Sequence, residues 1–554
     1  MVYKSPFPDL DIPKTDVLSY LFPEGQPVSD EPIWFNSNDT RENLSPKQLL
    51  QWVKRLCLGL DRLGVKTGEV AMIFTPNQIF VPVTYLGIVG SRRVFSGSNP
   101  AYTVQEMIYQ IQNTECKVIL AHPSLTKHAL DAAEGAGFPK ERIFQLSEHP
   151  TRPLHGVKDW REMIGTPQEA DAYQWKPMTP EESVSTVATV NYSSGTTGLP
   201  KGVCVSHANL IANAEQHIFM KYEGKPFGRD NHPPERWIGF LPLYHAYGQL
   251  WCCLMCIKLQ VPIYVMKKFG YEGFLRVIQD RKITHLQVAP PILVMLAKRP
   301  ETAKYDLSSI TDVLCGAAPL SRELQNEIMR RFGCQVNQGW GMTEVTCGAL
   351  MVPFGIKDDN GSVGMLMPNV ELLLLDDDGK EVPEGQPGEI FVRGPNICLG
   401  YWKNERATTE SLSPDGWLKT GDVAVMKRDW FWIVDRKKEL IKVNALQVAP
   451  AELEAVLLEH DDIADAGCVG ITLHSEEWPR AYVALKDHAK GKISEKDIQG
   501  WMKGKVAKHK QLVGGVVFID EVPKLASGKI IRKLLKEWSK RDAPILEGKV
   551  KARL

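Results

Sequence analysis

Alternating apolar and polar positions indicate the first clear secondary structure of the chain. Residues 184–192 alternate and are rich in β-branched side chains, so they predict a β-strand. A loop of glycine, serine and threonine follows, and residues 202–205 predict a second, short strand. Ser206 is a suitable N-cap for a helix that runs through residues 208–212. The pattern therefore predicts strand, loop, strand and helix in close succession.

Later in the chain, a second run of this kind predicts another strand and helix. Residues 430–434 are aromatic and β-branched, which predicts a strand leading into the polar segment 435–438. Pro450 stands where the first turn of a helix would take it. The apolar face of this helix would consist of Leu453, Val456 and Leu457. Polar residues between two apolar runs are typical of a linker between domains.

The length of the chain is consistent with such a division. At 554 residues it is expected to contain three or four folding units. We expect a hinge at Lys438 that separates an N-terminal domain, residues 1–437, from a C-terminal domain, residues 438–554. Hydrophobic residues make up 43% and charged residues 24%, as in a globular protein with a large core. The formal net charge is +0, which argues against a nucleic-acid partner or an anionic-membrane partner, since these usually require a basic excess.

Eleven cysteines are spread along the chain without the spacing of a disulfide framework, which favours a reducing compartment. Cys252, Cys253 and Cys256 cluster within the apolar segment 250–259. A metal site is one interpretation of such a cluster. No second pair of ligands lies nearby in the sequence, so we expect a buried helix in which these side chains pack in the core.

The two ends of the sequence bear on localisation. Residues 1–14 carry acidic residues and prolines without an apolar run, so a signal peptide is not expected. The chain lacks a run of about 20 apolar residues, and no transmembrane anchor is expected either. The last residues, Ala552-Arg553-Leu554, resemble the Ser-Lys-Leu type of peroxisomal address. We therefore expect binding to the peroxisomal import receptor and a peroxisomal location, with the cytoplasm as the alternative.

The segment 192–202, Tyr-Ser-Ser-Gly-Thr-Thr-Gly-Leu-Pro-Lys-Gly, is the strongest single motif. Its glycines allow backbone N–H groups to approach an anion, its hydroxyl side chains add donors, and Lys201 adds positive charge. This composition suits a polyphosphate. The Gly-x4-Gly-Lys-Ser/Thr spacing of the Walker A loop is absent. A flexible surface loop is the alternative, and the length of the segment argues against it.

This segment resembles the signature of the adenylate-forming superfamily, which includes acyl-CoA synthetases, 4-coumarate–CoA ligases, luciferase and peptide-synthetase adenylation domains. Further motifs of that family follow in the same order along nearly the whole chain. They are residues 241–248, 316–319, 338–344, 420–422, 435–442, 447–450 and 527–529. The pattern is most similar to the 4-coumarate–CoA ligase-like branch.

The resemblance implies an α/β fold and an ATP-dependent activation of a carboxylic acid. The expected fold has a large N-terminal domain of β-sheets flanked by helices with a small barrel-like subdomain, followed by a small mobile α+β C-terminal domain. The expected reaction converts a small-molecule carboxylic acid and ATP to an acyl-adenylate, and then to a thioester with coenzyme A. The expected cofactors are ATP, Mg²⁺ and coenzyme A.

The resemblance also implies which residues bind the nucleotide. The residues expected at ATP or AMP are Ser193, Ser194, Gly195, Thr196, Thr197, Gly198, Lys201, Gly316, Ala317, Ala318, Gln338, Gly339, Trp340, Gly341, Met342, Thr343, Asp422 and Arg436. Within this set, Asp422 would accept from the ribose hydroxyls. Glu344 would be the Mg²⁺ ligand, since hard oxygen donors suit that ion. On the sequence alone, residues 316–319 are equally a tight turn and Trp340 equally a core residue.

The catalytic roles implied by the resemblance fall on five residues, Lys529, Lys442, His245, Gln447 and Thr343. Lys529 would bridge the carboxylate of the acid and the α-phosphate during adenylation. It also lies in a basic stretch, residues 524–536, that is typical of a solvated helix. Lys442 and Gln447 would serve the second half-reaction. Lys529 and Lys442 would thus act in turn, after rotation about Lys438.

The implied acid pocket is almost entirely apolar, so the tail of the acid should be apolar as well. The residues expected to line it are Tyr247, Trp251, Leu314, Ala317, Gly341, Cys347 and Gly348. Medium-chain aliphatic and aryl acids both fit this description. Ala445 and Leu446 would border the tunnel for coenzyme A, where many relatives carry glycine at the position of Ala445.

Two other outcomes stay open for the same fold. The adenylate could be oxidised, as in luciferase, or transferred to an amine, and AMP release that depends on coenzyme A would distinguish these outcomes from a CoA ligase. A binding protein that has lost catalysis would be expected to lose its charged residues. Lys201, Glu344, Asp422, Lys442 and Lys529 are all present, which argues against that alternative.

Overall fold

The computed structural model describes residues 2–193, 200–443, 446–474, 476–525 and 528–551, with side chains up to residue 546. Parallel and antiparallel sheets with packed helices form the large N-terminal part, and a smaller α+β part follows. This arrangement confirms the predicted α/β fold class, with a large part preceding a small one. The boundary at residue 438 and the mobility of the second part stay predictions.

The first sheet contains the strand that precedes the glycine-rich segment and the strand that follows it. In spatial order its strands are Gly400–Tyr401, Lys201–Ser206, Val187–Ser193, Val94–Ser98, Val70–Phe74, Val118–Ala121, Ile143–Gln145 and Lys158–Asp159. Its associated helices are Pro46–Arg62, Val81–Gly90, Val104–Thr114, Thr126–Ala136 and His207–Tyr222. The strands from Val187–Ser193 to Lys158–Asp159 pair in parallel.

The second sheet is also largely parallel. In spatial order its strands are Met365–Leu366, Leu350–Met351, Gln335–Trp340, Asp312–Cys315, His285–Val288, Trp237–Gly239, Ile263–Val265, Trp34–Asn36 and Asn43–Leu44. The associated helices are Tyr271–Arg281, Pro290–Lys298 and Arg322–Phe332. Because neighbouring parallel strands end at the same edge, the loops after Val288, Cys315 and Trp340 lie side by side.

The third sheet is antiparallel and curls on itself. In spatial order its strands are Tyr3–Lys4, Glu371–Leu375, Gly388–Arg393, Leu418–Lys427 and Trp430–Arg436. The rings of Tyr3 and Phe431, from its two outermost strands, have centroids only 6.2 Å apart. This contact between opposite edges agrees with the predicted small barrel-like subdomain.

The C-terminal part is built around a hairpin and a mixed sheet. The hairpin pairs Ile441–Val443 with Leu446–Val448, and the sheet contains Ile463–Leu473, Glu476–Leu485 and Val516–Ile519. Its helices are Pro450–Leu458, Glu495–Lys503 and Arg532–Lys551. Leu453 and Leu457 are fully buried in its core, as the predicted apolar helix face requires.

Local signals in the sequence predicted several of these elements. Ser206 caps the helix His207–Tyr222, and its side chain accepts from the N–H of Asn209. Pro450 lies in the first turn of its helix, as predicted. The predicted strand at 184–192 was wrong at its start, because a capping box between Thr179 and Glu182 begins the helix Pro180–Ser185. The strand therefore begins at Val187.

The cysteine cluster is packed in the core. Cys252, Cys253 and Cys256 are buried, which confirms core packing for this segment. The helix contains a π-helical turn, Leu250–Met255, which the sequence did not indicate. In the described part of the chain, helices that combine the length and the apolar character needed to cross a bilayer are absent.

Candidate active site

A cavity of about 950 Å³ opens at the carboxyl ends of the second sheet. Residues that follow the strands ending at Val288, Cys315 and Trp340 form its floor, and residues from both sides of Lys438 form its walls. The carboxyl edge of a parallel sheet is the usual position of a ligand site in α/β proteins. Lys438 itself lines this cavity.

One corner of the cavity carries a carboxylate with an unused acceptor. The indole Nε1 of Trp340 donates to Oδ2 of Asp422 at 2.8 Å. The other oxygen, Oδ1, lies 3.1 Å from Nε of Arg436 in an ion pair, yet it has no hydrogen-bond partner among the described residues. A buried oxygen in this condition is suited to accept from hydroxyl groups of a ligand such as a ribose.

Small residues shape the adjoining part of the cavity. Ala317 has a left-handed φ of 69°, which turns the chain sharply after the strand Asp312–Cys315. A Cβ at Gly341 would lie only 1.7 Å from the carbonyl oxygen of Cys347, so only glycine fits there. The predicted residues Gly316, Ala317, Ala318, Gln338, Gly339, Trp340, Gly341 and Met342 all line the cavity. Trp340 adds one aromatic side chain to this part of the wall, beside which a flat base can pack.

The polar end of the cavity combines a lysine, hydroxyl groups and a buried carboxylate. Tyr401 and Ser193 both donate to Oε1 of Glu344, at 2.9 and 3.4 Å. Oε2 of Glu344 has no hydrogen-bond partner in the described part of the chain. Lys201 and Thr343 line the same end, and the ammonium of Lys201 lies 4.9 Å from the ring centroid of Tyr401. The predicted phosphate ligands Ser194, Gly195, Thr196, Thr197 and Gly198 lie outside the described residues.

Lys529 and His245 both line this cavity. Burial, and then the charge of Arg436, lower the pKa of Lys529, while the carboxylates of Glu439, Asp422 and Glu344 oppose this shift. Burial, followed by the charge of Lys529, lowers the pKa of His245 to about 4. Nδ1 of His245 accepts from the N–H of Tyr247, so the neutral imidazole carries its proton on Nε2. A cation and an N–H donor are therefore available to one carboxylate.

The turn that carries Lys529 is inserted against the N-terminal part. Gly528 lies at its tip with φ 83°, and a Cβ there would lie 3.0 Å from Cγ of Pro291. Arg532 fixes the base of the turn, since its guanidinium binds both oxygens of Glu454 and lies 2.8 Å from Glu439. The interpretation of this stretch as a solvated helix is therefore wrong at Lys529 and Arg532. The helix begins at Arg532, after the turn.

Lys442 and Gln447 are directly opposite each other in the hairpin of the C-terminal part. Both side chains are exposed, and the hairpin lies outside the wall of the cavity. Leu446, which neighbours Gln447, is 51% exposed. Ala445 lies outside the described residues. The structure thus brings Lys529, His245 and Thr343 to one cavity and leaves Lys442 and Gln447 at the surface.

An apolar pocket continues from the polar end of the cavity. Its predicted lining residues Tyr247, Leu314, Ala317, Gly341, Cys347 and Gly348 all lie on the cavity wall. Trp251 does not join them, because its fully buried indole lies behind His217, with 6.0 Å between the ring centroids. The expectation that Trp251 lines the pocket is therefore corrected. His217, from the helix His207–Tyr222, lines that part of the wall.

Comparison with known proteins places this site in a family. The family model described as AMP-binding enzyme matches residues 24–402, and the model of the AMP-binding enzyme C-terminal domain matches residues 452–529. The chain belongs to the AMP-binding enzymes. This agrees with the resemblance drawn from the sequence motifs.

Related AMP-binding enzymes match along nearly their whole length. A phenylacetyl-CoA ligase of Aspergillus niger is 33% identical over 546 residues, covering 96% of this chain and 98% of the relative. A 4-coumarate–CoA ligase of Solanum tuberosum is 32% identical, with 97% and 96% covered. The anthranilate–CoA ligase AuaEII in complex with anthranoyl-AMP has a similar fold, with a TM-score of 0.83, 22% identity, and 96% and 99% covered.

Several residues at the site of this AMP-binding enzyme were missed from the sequence. Tyr401 comes from a short edge strand far from any motif that the sequence analysis used. His217 lies on a helix that is buried nearly all round, so its apolar period does not single out one face. The polar residues Asn213, Gln216 and His217 within that helix are the signal that could have indicated it.

Proposed function

We propose that this AMP-binding enzyme is an ATP-dependent, AMP-forming ligase that joins an apolar aryl acid to coenzyme A. The observation that carries the proposal is that Lys529 and His245 line one cavity with both the polar residues Asp422 and Glu344 and the apolar pocket. An acid bound here would have its apolar tail in the pocket and its carboxylate oxygens beside the ammonium of Lys529. Activation of a carboxylic acid requires that arrangement.

In the first half-reaction, a carboxylate oxygen attacks the α-phosphorus of ATP. The bond from the α-phosphorus to the bridging oxygen breaks, and pyrophosphate leaves. Both reactants are anions, so the ammonium of Lys529 lowers the barrier by lying between them. His245 donates through Nε2 to the carboxylate and orients it. Asp422 and Trp340 hold the ribose and adenine at a fixed distance from the pocket.

Glu344 is the residue that would hold Mg²⁺. Its Oε2 is not used by a described partner, and Mg²⁺ binds through one or two carboxylates together with the phosphates of its nucleotide. When bound, the ion would neutralise charge on the phosphates. Tyr401 and Ser193 orient the carboxylate of Glu344 through their hydrogen bonds. Burial, and then Glu344, raise the pKa of Tyr401, so the phenol keeps its proton and remains a donor.

In the second half-reaction, the thiolate sulfur of coenzyme A, which has lost its proton to solvent, attacks the acyl carbon of the adenylate. The bond from that carbon to the phosphate oxygen breaks, and AMP leaves. Lys529 occupies the cavity and the hairpin of Lys442, Leu446 and Gln447 lies outside it, so the described arrangement suits the first half-reaction. Rotation about Lys438 would withdraw the face of the C-terminal part that carries Lys529 and bring the face that carries Lys442 to the cavity.

An aryl acid is favoured over a medium-chain aliphatic acid. The names of relatives at 32–33% identity support this class, since they describe a phenylacetyl-CoA ligase and a 4-coumarate–CoA ligase. The part of the cavity that Tyr247 and Gly341 line is largely apolar, which suits an aromatic ring.

The test is a panel of phenylacetates, cinnamates and medium-chain aliphatic acids, with pyrophosphate and AMP release measured with and without coenzyme A. The proposal predicts pyrophosphate release with aryl acids and AMP release only with coenzyme A. Pyrophosphate release without a thioester would instead support transfer of the adenylate to another acceptor. Preference for the aliphatic acids would reject the aryl class.

We also propose a peroxisomal location through the import receptor, supported by the sequence Ala552-Arg553-Leu554. These residues lie outside the described part of the chain. A full chain and a chain that lacks the three residues, each fused at the N-terminus to a fluorescent protein, should separate into peroxisomes and cytoplasm. The same distribution for both would reject the proposal.

A further inference from the structure

His217 is a nearly buried polar side chain at the apolar pocket, and it has no role in the reaction described above. Its exposed fraction is 3%, and it lies on the cavity wall. Nδ1 lies 2.7 Å from the carbonyl oxygen of Asn213, one turn earlier in the helix. A carbonyl can only accept, so Nδ1 carries the proton and Nε2 presents a lone pair. Burial lowers the pKa of His217 to about 4, which keeps the ring neutral near pH 7.

The Nε2 atom of His217 has no partner in the described part of the chain. Part of the surface of Nε2 is accessible, and His217 lies on the cavity wall. The neighbouring position on the wall is Gly348, where an added Cβ would lie 2.9 Å from both Cε1 and Nε2 of His217. The missing side chain at Gly348 therefore leaves this edge of the imidazole open to the pocket.

The surroundings hold the imidazole in this orientation. Asn213 accepts from the N–H of Gly348 at 3.1 Å and donates to its carbonyl at 2.8 Å, which joins the helix to the pocket loop. The indole of Trp251 packs against the imidazole in a T-shaped arrangement, at 88° between the planes. A polar atom held in an apolar wall destabilises the protein unless it receives a hydrogen bond.

His217 lies at the end of the pocket that is remote from the reacting carboxylate. His245 caps the helix that continues into Leu250–Met255, and Trp251 follows within it. The charge of Lys529 lowers the pKa of His245, whereas burial and the bond to Asn213 alone shift the pKa of His217, so His217 lies farther from Lys529 than His245 does. The pocket thus has an N–H donor for the carboxylate at one end and an acceptor at the other.

Building on the proposed function, we infer that Nε2 of His217 accepts a hydrogen bond from the distal end of the acid, so that the preferred substrates are aryl acids with a hydroxyl or N–H group on the ring. The neutral ring repels a second carboxylate at that position by presenting a lone pair. An aryl acid with a methyl group there has the right size, but it leaves Nε2 without a donor.

The test compares acids that differ only in the ring substituent, 4-hydroxy against 4-methyl, on both phenylacetate and cinnamate. Initial rates of pyrophosphate release and thioester formation give a ratio of kcat/KM for each pair, and this ratio does not depend on the fraction of folded enzyme. The wild type should favour the hydroxyl member of at least one pair by about 10-fold or more. His217→Leu should reduce the ratio to about one or below, since an apolar wall favours the methyl group.

His217→Gln is the conservative variant, because its amide oxygen can replace the lone pair of Nε2, and it should retain a preference for the hydroxyl acid. His207→Asn is the matched control. His207 is a buried histidine on the same helix, outside the cavity wall, whose Nδ1 accepts from the N–H of Val17. The control should keep the wild-type ratio.

Two results would overturn the inference, namely a wild-type ratio near one for both scaffolds or an unchanged ratio in His217→Leu. Either would mean that Nε2 does not contact the acid. Thioester formation in that situation would leave the proposed function intact. Failure to adenylate any acid of the panel would reject the proposed function, and the inference would fall with it.

Discussion

The indole of Trp340 donates a 2.8 Å hydrogen bond to Asp422, and this bond joins the end of a parallel strand to the curled antiparallel sheet. One oxygen of Asp422 is thereby fixed, and the other is left to accept from a ligand. Trp340 was expected either at the adenine or in the core, and its position at the adenine stays a prediction. It is 7% exposed and still lines the cavity.

Trp340→Phe should raise the KM for ATP by about 10-fold, because a hydrogen bond to a charged group contributes about 1.5–3 kcal/mol and the ring itself is retained. The measurement is pyrophosphate release over a range of ATP concentrations at saturating acid. Trp160→Phe is the control, since it removes a comparable indole hydrogen bond, to the carbonyl of Ser147, at a buried position outside the cavity. An equal KM for ATP in the wild type and Trp340→Phe would mean that Asp422 needs no orientation by Trp340.

Gly341→Ala should lower the stability of the fold, since the new methyl group would collide with the carbonyl of Cys347. Overpacking of this kind costs about 1–3 kcal/mol. The midpoint of chemical denaturation should fall accordingly, and the KM for the acid should rise because Gly341 lines the pocket. Gly270→Ala is the control, because a Cβ there meets open space. Equal midpoints for both variants would contradict the close contact.

The sequence predicted what depends on local chemistry. The cap at Ser206, the proline at 450 and the strand pair around the glycine-rich segment follow from the conformational preferences of individual residues. Most of the predicted site residues lie within the ordered motifs, because a motif is a set of residues whose spacing lets them contact the same ligand. The resemblance therefore brought Asp422, Glu344 and Lys529 into consideration before any geometry was known.

Features that depend on neighbouring elements were not predictable in this way. Trp251 has a residue spacing from Tyr247 that favours the same helix face, yet His217 from another helix stands between it and the pocket. Tyr401 reaches Glu344 only because its short strand pairs with Lys201–Ser206. Neither relationship leaves a periodic signal in the chain.

Lys298 connects the two parts of the protein and should favour the arrangement with Lys529 in the cavity. Its ammonium donates to the carbonyl oxygens of Leu458 and Ile463, at 2.6 and 3.3 Å. Lys298→Met should slow adenylation by about 3- to 10-fold through loss of these bonds, and should spare thioester formation from supplied acyl-adenylate. Lys282→Met, which removes an exposed ion pair with Asp306, should change neither rate. An unchanged adenylation rate in Lys298→Met would contradict this role.

The pH dependence of adenylation should report the charge of Lys529. Burial lowers the pKa of its ammonium from the usual value of 10.5, so the cation is present below the lowered pKa and is lost as the pH rises through it. Adenylation should therefore fall on the alkaline side at a pH below 10.5. Lys529→Arg keeps its charge throughout this range, since the pKa of arginine is above about 12. Its pH profile should lack that fall, even if its maximal rate is lower, and the same alkaline fall in both enzymes would assign the titration to another group.

The central claim is that Lys529 serves adenylation alone, and separate assays of the two half-reactions in Lys529→Ala test it most directly. Pyrophosphate release should fall by about 100-fold or more, the scale of losing a charge-stabilising donor. Conversion of supplied acyl-adenylate and coenzyme A to thioester should stay near the wild-type rate. Lys442→Ala, whose side chain lies outside the cavity, should show the reverse pattern. Equal losses of both half-reactions in each variant would contradict the claim that the two lysines act in turn.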